Sequence, residues 1–261
     1  MLRRLFARLA PLAPLAPLAL SLPLATRALA ASADCKGLPT QAQLLASLTS
    51  VAQNGNSGLF KPNEMWATVV NRSGQVCAVA KIGDAWPGSR VISAQKAYTA
   101  NAFSNDNLSL STANLYATVQ PGGSLFGLQA SNPVDGAAAY KGDAKTFGTA
   151  KDPLVGERVG GVNVFGGGLA LYAADHKTVL GGLGVSGDSS CTDHIIAWRM
   201  RGGLSLDNIP KGVAGANGDN IIHDLDATGK SASGFGHPTC SPESAETAKA
   251  LTLSSTGAKK G

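Results

Sequence analysis

Charged side chains are scarce in this sequence of 261 residues, at 15%, and aromatic ones scarcer, at 5%. Arg3, Arg4, Arg8 and Arg27 account for four of the five net positive charges, which leaves residues 31–261 at +1. A nearly neutral chain lacks the basic footprint that nucleic acids and anionic membranes need, so neither is an expected partner. There is no H-E-x-x-H and no close histidine pair among the four histidines, which argues against a dedicated zinc or copper site. No serine sits in a G-x-S-x-G elbow and no cysteine pair has C-x-x-C spacing, which removes the usual hydrolase, zinc-ribbon and thioredoxin signatures. Beyond the first 30 residues no apolar stretch is long enough to span a bilayer. Glycine and proline together make about 17% of the chain, below the roughly 25–30% of low-complexity sequence. The length allows a real core.

What is present begins with an address. Arg3 and Arg4 precede the uncharged Leu/Ala run Leu9–Ala25, and Ala28-Leu29-Ala30 supplies a small-x-small cleavage site. Pro11, Pro14, Pro17 and Pro23 interrupt that run, which weighs against a membrane anchor. Residues 1–30 therefore read as a signal peptide, with a periplasmic or secreted destination and no membrane contact after cleavage. The four cysteines, Cys35, Cys77, Cys191 and Cys240, all follow it. An even count in an exported chain implies two disulfides among three possible pairings. Cys191–Cys240 would tie down the tail and Cys35–Cys77 the new N-terminus, and this pairing is favoured.

Periodicity organises the rest. Gln41–Gln53 and Arg90–Phe103 have helical spacing, and Cys191–Arg201 is a helix capped by Ser189 or Ser190. Thr112–Val119 reads as a second short helix after Phe103. Met65–Val70 and Gln75–Ile82 flank the turn Asn71-Arg72-Ser73-Gly74, and Leu169–Ala173 and Thr178–Val185 flank Ala174-Asp175-His176-Lys177. Asn220–Asp226 is a candidate extra strand. Consecutive strands joined by tight turns predict an α+β domain, an antiparallel sheet of about five strands with helices on one side. Ser131–Glu157 reads as a Gly-rich loop or insertion within a domain spanning 31–202, and 203–261 as a partly irregular extension.

Gly182-Leu183-Gly184-Val185-Ser186-Gly187 spells G-x-G-x-x-G with Asp207 twenty residues on, but no βαβ unit surrounds it, so the match is weak. A Gly-rich turn feeding a helix points backbone N–H groups outward, which suits a small carboxylate as well as plain tight packing. Cys191-Thr192-Asp193-His194 places a thiol, a carboxylate and an imidazole at a helix start, and a disulfide at Cys191 accounts for it better than a nucleophile does.

Ser89–Phe103, with Ala94, Lys96-Ala97 and Ala100, followed by Gly167-Gly168, Gly184–Gly187 and Asp193 in order, resembles the GlcG/HbpS-like haem-binding family over about Thr40–Gly202. That resemblance implies an antiparallel sheet flanked by helices, homo-oligomerisation, and capture or sensing of haem or a related tetrapyrrole. The alternative it implies is an enzyme or accessory protein acting on a small hydroxy acid such as glycolate. Haem needs an apolar slot, groups for its propionates and an axial donor. The candidates are Lys96 toward a propionate, Tyr98 and Phe103 as porphyrin walls, and Gly167, Gly168, Ser186, Gly187 and Asp193 around the turn. His194 is the candidate iron ligand. Each has a structural reading too: Lys96 as a snorkelling lysine, Tyr98 as core, Asp193 as a carboxylate favoured by the helix dipole.

Overall fold

The computed structural model describes residues 33–61 and 63–254; the proposed export signal lies outside the described residues. Helix α1 (Gln41–Ala52) starts at a reciprocal cap. The Thr40 hydroxyl accepts from the Gln43 N–H, and the Gln43 side chain accepts from the Thr40 N–H. Strands β1 (Trp66–Asn71) and β2 (Val76–Lys81) form the first hairpin. Its turn is held by the Asn71 side-chain oxygen, which accepts from the Ser73 and Gln75 N–H groups, with Gly74 at φ +79°. Helix α2 (Ser89–Ala102) follows. Thr112–Val119 forms two 3-10 turns, at Thr112–Leu115 and Ala117–Val119, in place of the expected helix.

Two four-residue helices come next, α3 (Leu128–Ser131) and α4 (Gly136–Ala139). The second hairpin is β3 (Gly168–Tyr172) and β4 (Val179–Ser186), and the Asp175 carboxylate accepts from the Lys177 and Thr178 N–H groups in its turn. Ser189 caps α5 (Ser190–Gly203) by accepting from the Thr192 N–H. Helix α6 (Pro242–Lys249) was not visible in the periodicity; its N-cap is Ser241.

The two hairpins join into one antiparallel sheet of order β2-β1-β4-β3, with Trp66 opposite Lys81 on one side and Ser186 on the other. That is four strands where about five were expected. Asn220–Asp226 adds none: Asn114 donates to the Asn220 carbonyl, the Ile221 N–H meets the His194 ring, and the Ile222 carbonyl accepts from the His237 N–H of the extension itself. Helices cover both faces of the sheet, which corrects the expected one-sided arrangement. Leu183 and Val185 of β4 pack with Leu44, Leu48, Ile195 and Ile196 of α1 and α5. On the other face a Cβ on Gly184 would lie 1.9 Å from the Ser93 carbonyl oxygen, and one on Gly182 2.1 Å from that of Ala97. The G-x-G pattern is thus the place where α2 lies directly on the sheet backbone.

Residues 131–157 are anchored rather than loose. Ala139 and Leu154 are buried with Trp66, Val79 and Val91, and the Arg90 guanidinium donates to the Asp152 carboxylate and to the Ala139 carbonyl. Disulfides join Cys35 to Cys77 and Cys191 to Cys240, the favoured pairing. Among the described residues no helix is long and apolar enough to cross a membrane.

Candidate functional site

A groove of about 440 Å³ opens where four segments meet: the chain after α1, the loop before α2, the chain before β3, and the turn from β4 into α5. Its walls are aromatic. Phe60, Trp86 and Phe165 line it while being 62%, 59% and 47% exposed, in a protein where aromatics are rare. Solvent exposure of three such rings around one opening is costly, which marks a surface built to be covered. Phe60 and Trp86 meet edge to face at 6.4 Å, and the Trp86 carbonyl accepts from the Trp66 indole N–H at 3.0 Å. Ser89, Ile92 and Lys96 form one stripe of α2 at i, i+3 and i+7, and this stripe supplies another side of the groove.

The floor is polar and buried. Lys96 Nζ donates to Asp193 Oδ2 at 2.7 Å and to the Val185 carbonyl at 3.0 Å, and both side chains are buried. Asp193 stands in the first turn of α5, and its other oxygen accepts the Asp188 N–H at 3.0 Å. Burial lowers the Lys96 ammonium from its ordinary value, against the opposing pull of Asp193. Burial likewise pushes the Asp193 carboxyl up to about 6, against Lys96 and the Asp188 N–H. Gly167, at φ +112°, makes room for the pair: a Cβ there would lie 2.5 Å from the Val185 oxygen and 2.9 Å from the Asp193 Cβ.

The turn's N–H groups already have anions of the protein's own. Asp188 accepts from the Leu59, Phe60 and Ser189 N–H groups at 2.9, 2.8 and 2.6 Å, and Asp193 accepts from Asp188. Two of the turn's N–H groups expected to hold a small carboxylate, those of Asp188 and Ser189, therefore bond Asp193 and Asp188 instead, while the Asp188 carboxylate straps the Leu59–Phe60 segment to the groove.

Of the expected site residues, Lys96, Ser186, Gly187 and Asp193 line the groove. Gly167 touches the buried pair from behind, and Gly168 packs against Thr112 and the Lys96 carbonyl. Tyr98 lies elsewhere, over the first hairpin turn, where a Cβ on Gly74 would come within 2.9 Å of its ring. Phe103 joins a separate cluster with Leu115, Val119, Val162 and Val164. His194 also lies outside the lining. Its ring is fully buried beside Trp198, with Nε2 3.1 Å from Asn220 Oδ1, and burial depresses its pKa to about 3. An axial role would require it to leave those partners. Phe60, Trp86, Phe165 and Asp188 were not anticipated. They stand in loops, where no periodicity marks them, and the only signal was the rarity of aromatics in polar surroundings.

The model of the family described as haem degrading protein HbpS-like matches residues 60–200. Among solved structures, a Klebsiella pneumoniae protein called ORFY is similar at 24% identity, covering 64% of this chain and 90% of its own, with a TM-score of 0.44. A PduOC:haem complex is similar at 25% identity over 61% of this chain and 88% of its own, with a TM-score of 0.43. The structure of HbpS is similar at 15% identity over 62% and 86%, with a TM-score of 0.39. No curated protein matches the chain.

Proposed function

The chain belongs to the HbpS-like family, which spans residues 60–200, and from that premise we propose that it binds haem in the aromatic groove. The single observation behind this reading is that Phe60, Trp86 and Phe165, all about half exposed or more, converge on one cavity in a chain with few aromatics. The lining suits the macrocycle: Phe60, Trp86, Ile92 and Phe165 would hold its apolar faces, and about 440 Å³ falls within the roughly 300–1,000 Å³ of small-molecule sites. It does not suit the iron, since among the lining residues there is no His, Cys, Met or Tyr. Its one cation, Lys96, is paired with Asp193. The role that follows is capture or sensing of the intact tetrapyrrole, and no step of iron chemistry is assigned to a residue of this chain.

Residues 1–30 act as an export signal, and the two disulfides suit an oxidising, periplasmic or extracellular destination. Residues 31–202 form the haem-binding domain, with 203–261 as an extension bonded onto it, and the mature chain forms homo-oligomers.

Titrating residues 31–261 with hemin tests the reading. A saturable, near-stoichiometric Soret band is expected, weakened on the order of ten-fold in affinity by Trp86→Ala, as for loss of a central aromatic contact. His194→Ala leaves the band in place, because the ring does not reach the groove. A featureless, unsaturable rise in absorbance would end the proposal.

A further inference from the structure

Haem binding makes no use of the groove's floor. A lysine buried to 1% exposure in a bond with a buried carboxylate is an expensive arrangement, and a hydrophobic pair of the same size would often serve stability as well. Lys96 reaches this position from the middle of α2, and its Nζ has two acceptors, Asp193 Oδ2 and the Val185 carbonyl, for three N–H positions. Both residues also line the cavity, so the pair lies beside whatever the aromatic walls hold. A buried amine with an adjacent carboxyl is the pairing that amine catalysis of carbonyl compounds requires: a nucleophile that gives up its proton and a nearby group that takes and returns it.

We propose that Lys96 is a nucleophile that forms an imine with a flat, uncharged carbonyl compound seated between Phe60, Trp86 and Phe165, with Asp193 as its proton partner. The ammonium of Lys96 passes a proton to the Asp193 carboxylate. The free amine then attacks the carbonyl carbon; a C–N bond forms, the C=O π bond breaks, and one N–H proton moves to the oxygen. The Asp193 carboxyl returns its proton to that hydroxyl, which leaves as water, and the C=N bond forms. The product is a protonated imine facing the Asp193 carboxylate, so the ion pair is restored and no oxidant or reductant is consumed. Burial, which favours the neutral form of each partner, eases the first transfer. The ligand class follows from the lining: three rings and Ile92 for a planar apolar frame, and no unpaired cation for an anionic one.

The inference goes beyond haem binding and does not depend on it, because its test contains no haem. Residues 31–261 are incubated near neutral pH with benzaldehyde and cyanoborohydride, which reduces an imine to a stable benzylamine, and the modified peptides are counted by mass spectrometry. Lys96 is expected to gain the benzyl group on the order of ten-fold faster than the exposed Lys61, as expected for an amine whose burial favours its neutral form. Trp86→Ala, a change at the exposed rim, slows labelling at Lys96 and leaves Lys61 unchanged. Lys96 unlabelled, or labelled no faster than Lys61 in folded protein, overturns the proposal. Equal labelling of Lys96 with and without Trp86 overturns the aromatic seat.

Discussion

Two buried cation–carboxylate pairs in this fold look alike by distance and differ in kind. Arg201 and Asp219 meet through two parallel bonds of 2.7 and 2.6 Å, and Asp219 accepts a third from the Ser109 hydroxyl at 2.7 Å. The same guanidinium donates to the Ala170 carbonyl and lies over the Trp198 ring. Burial alone would raise Asp219, but Arg201 and Ser109 hold its carboxyl below the ordinary value. Lys96 and Asp193 share a single bond of 2.7 Å, and burial prevails over their attraction, moving each toward its neutral form. A planar fork with a saturated carboxylate keeps its charges; a point charge joined to its partner carboxylate by one bond yields them more readily. The first pair ties the C-terminal extension to α5 and the sheet, and the second faces a cavity. Similar geometry thus serves as a fastener in one place and as a proton-exchanging pair in the other.

Breaking the fastener should have the largest effect. Arg201→Met strands a fully buried, ionised Asp219 and should cost about 3–5 kcal/mol in chemical denaturation. Breaking the other pair should cost less. Lys96→Met leaves Asp193, already raised to about 6, free to take a proton and enter the site neutral, so the loss should be ~1–3 kcal/mol. Equal losses for the two substitutions would erase the distinction between them.

The sequence showed the frame better than the site, and particular residues say why. Both hairpins were legible because Asn71-to-Gly74 and Asp175-to-Lys177 are turn chemistry that acts locally. Helix α6 was not, because its buried side is made of Ser244, Ala245 and Ala248, too weak a stripe to stand out. Lys96 and Asp193 could be named as candidates, but that they meet is a fact of tertiary packing: they are 97 residues apart. Tyr98 failed as a groove wall because two residues beyond Lys96 is about 200° around a helix, on the opposite side. Phe103 has nearly the right angle, yet seven residues carry it ~10 Å along the axis and out of the groove. His194 is one residue past Asp193, about 100° round α5, which turns it from the groove into the core. The aromatic walls lie in loops, and nothing periodic could point to them.

A pH series gives a smaller effect and a sharper contrast. The Asp193 carboxyl is raised from 3.8 to about 6 in the folded chain, so between those values the folded state binds more protons than the unfolded one. Stability from this group therefore falls as pH rises through about 4 to 6, and Asp193→Asn should remove that downward slope from the denaturation profile. Asp219 has the opposite sign. Its carboxyl is lowered in the folded chain, so its contribution is present above the unfolded value of 3.8 and is lost as pH falls further. A profile unchanged by Asp193→Asn would mean that Asp193 keeps its charge as firmly as Asp219 does.

The smallest expected effect on stability belongs to the groove's rim. Trp86 is 59% exposed and meets Phe60 edge to face, while the bond to Trp66 uses the Trp86 backbone carbonyl, which survives any substitution. Trp86→Ala should therefore change the unfolding free energy by no more than about 0.5 kcal/mol, as for other surface positions. The same change should weaken hemin binding. A protein selected for stability alone has no use for an exposed indole beside two other exposed rings, so a large change in binding with almost none in folding would separate the ring's purpose from the fold's needs. The fastener and the rim then stand at opposite ends of one scale: Arg201 matters to folding and is remote from the groove, and Trp86 matters to the groove and is dispensable to folding. A loss of stability at Trp86 comparable to that at Lys96 would place the rim within the core and take away the reason for reading the groove as a binding site.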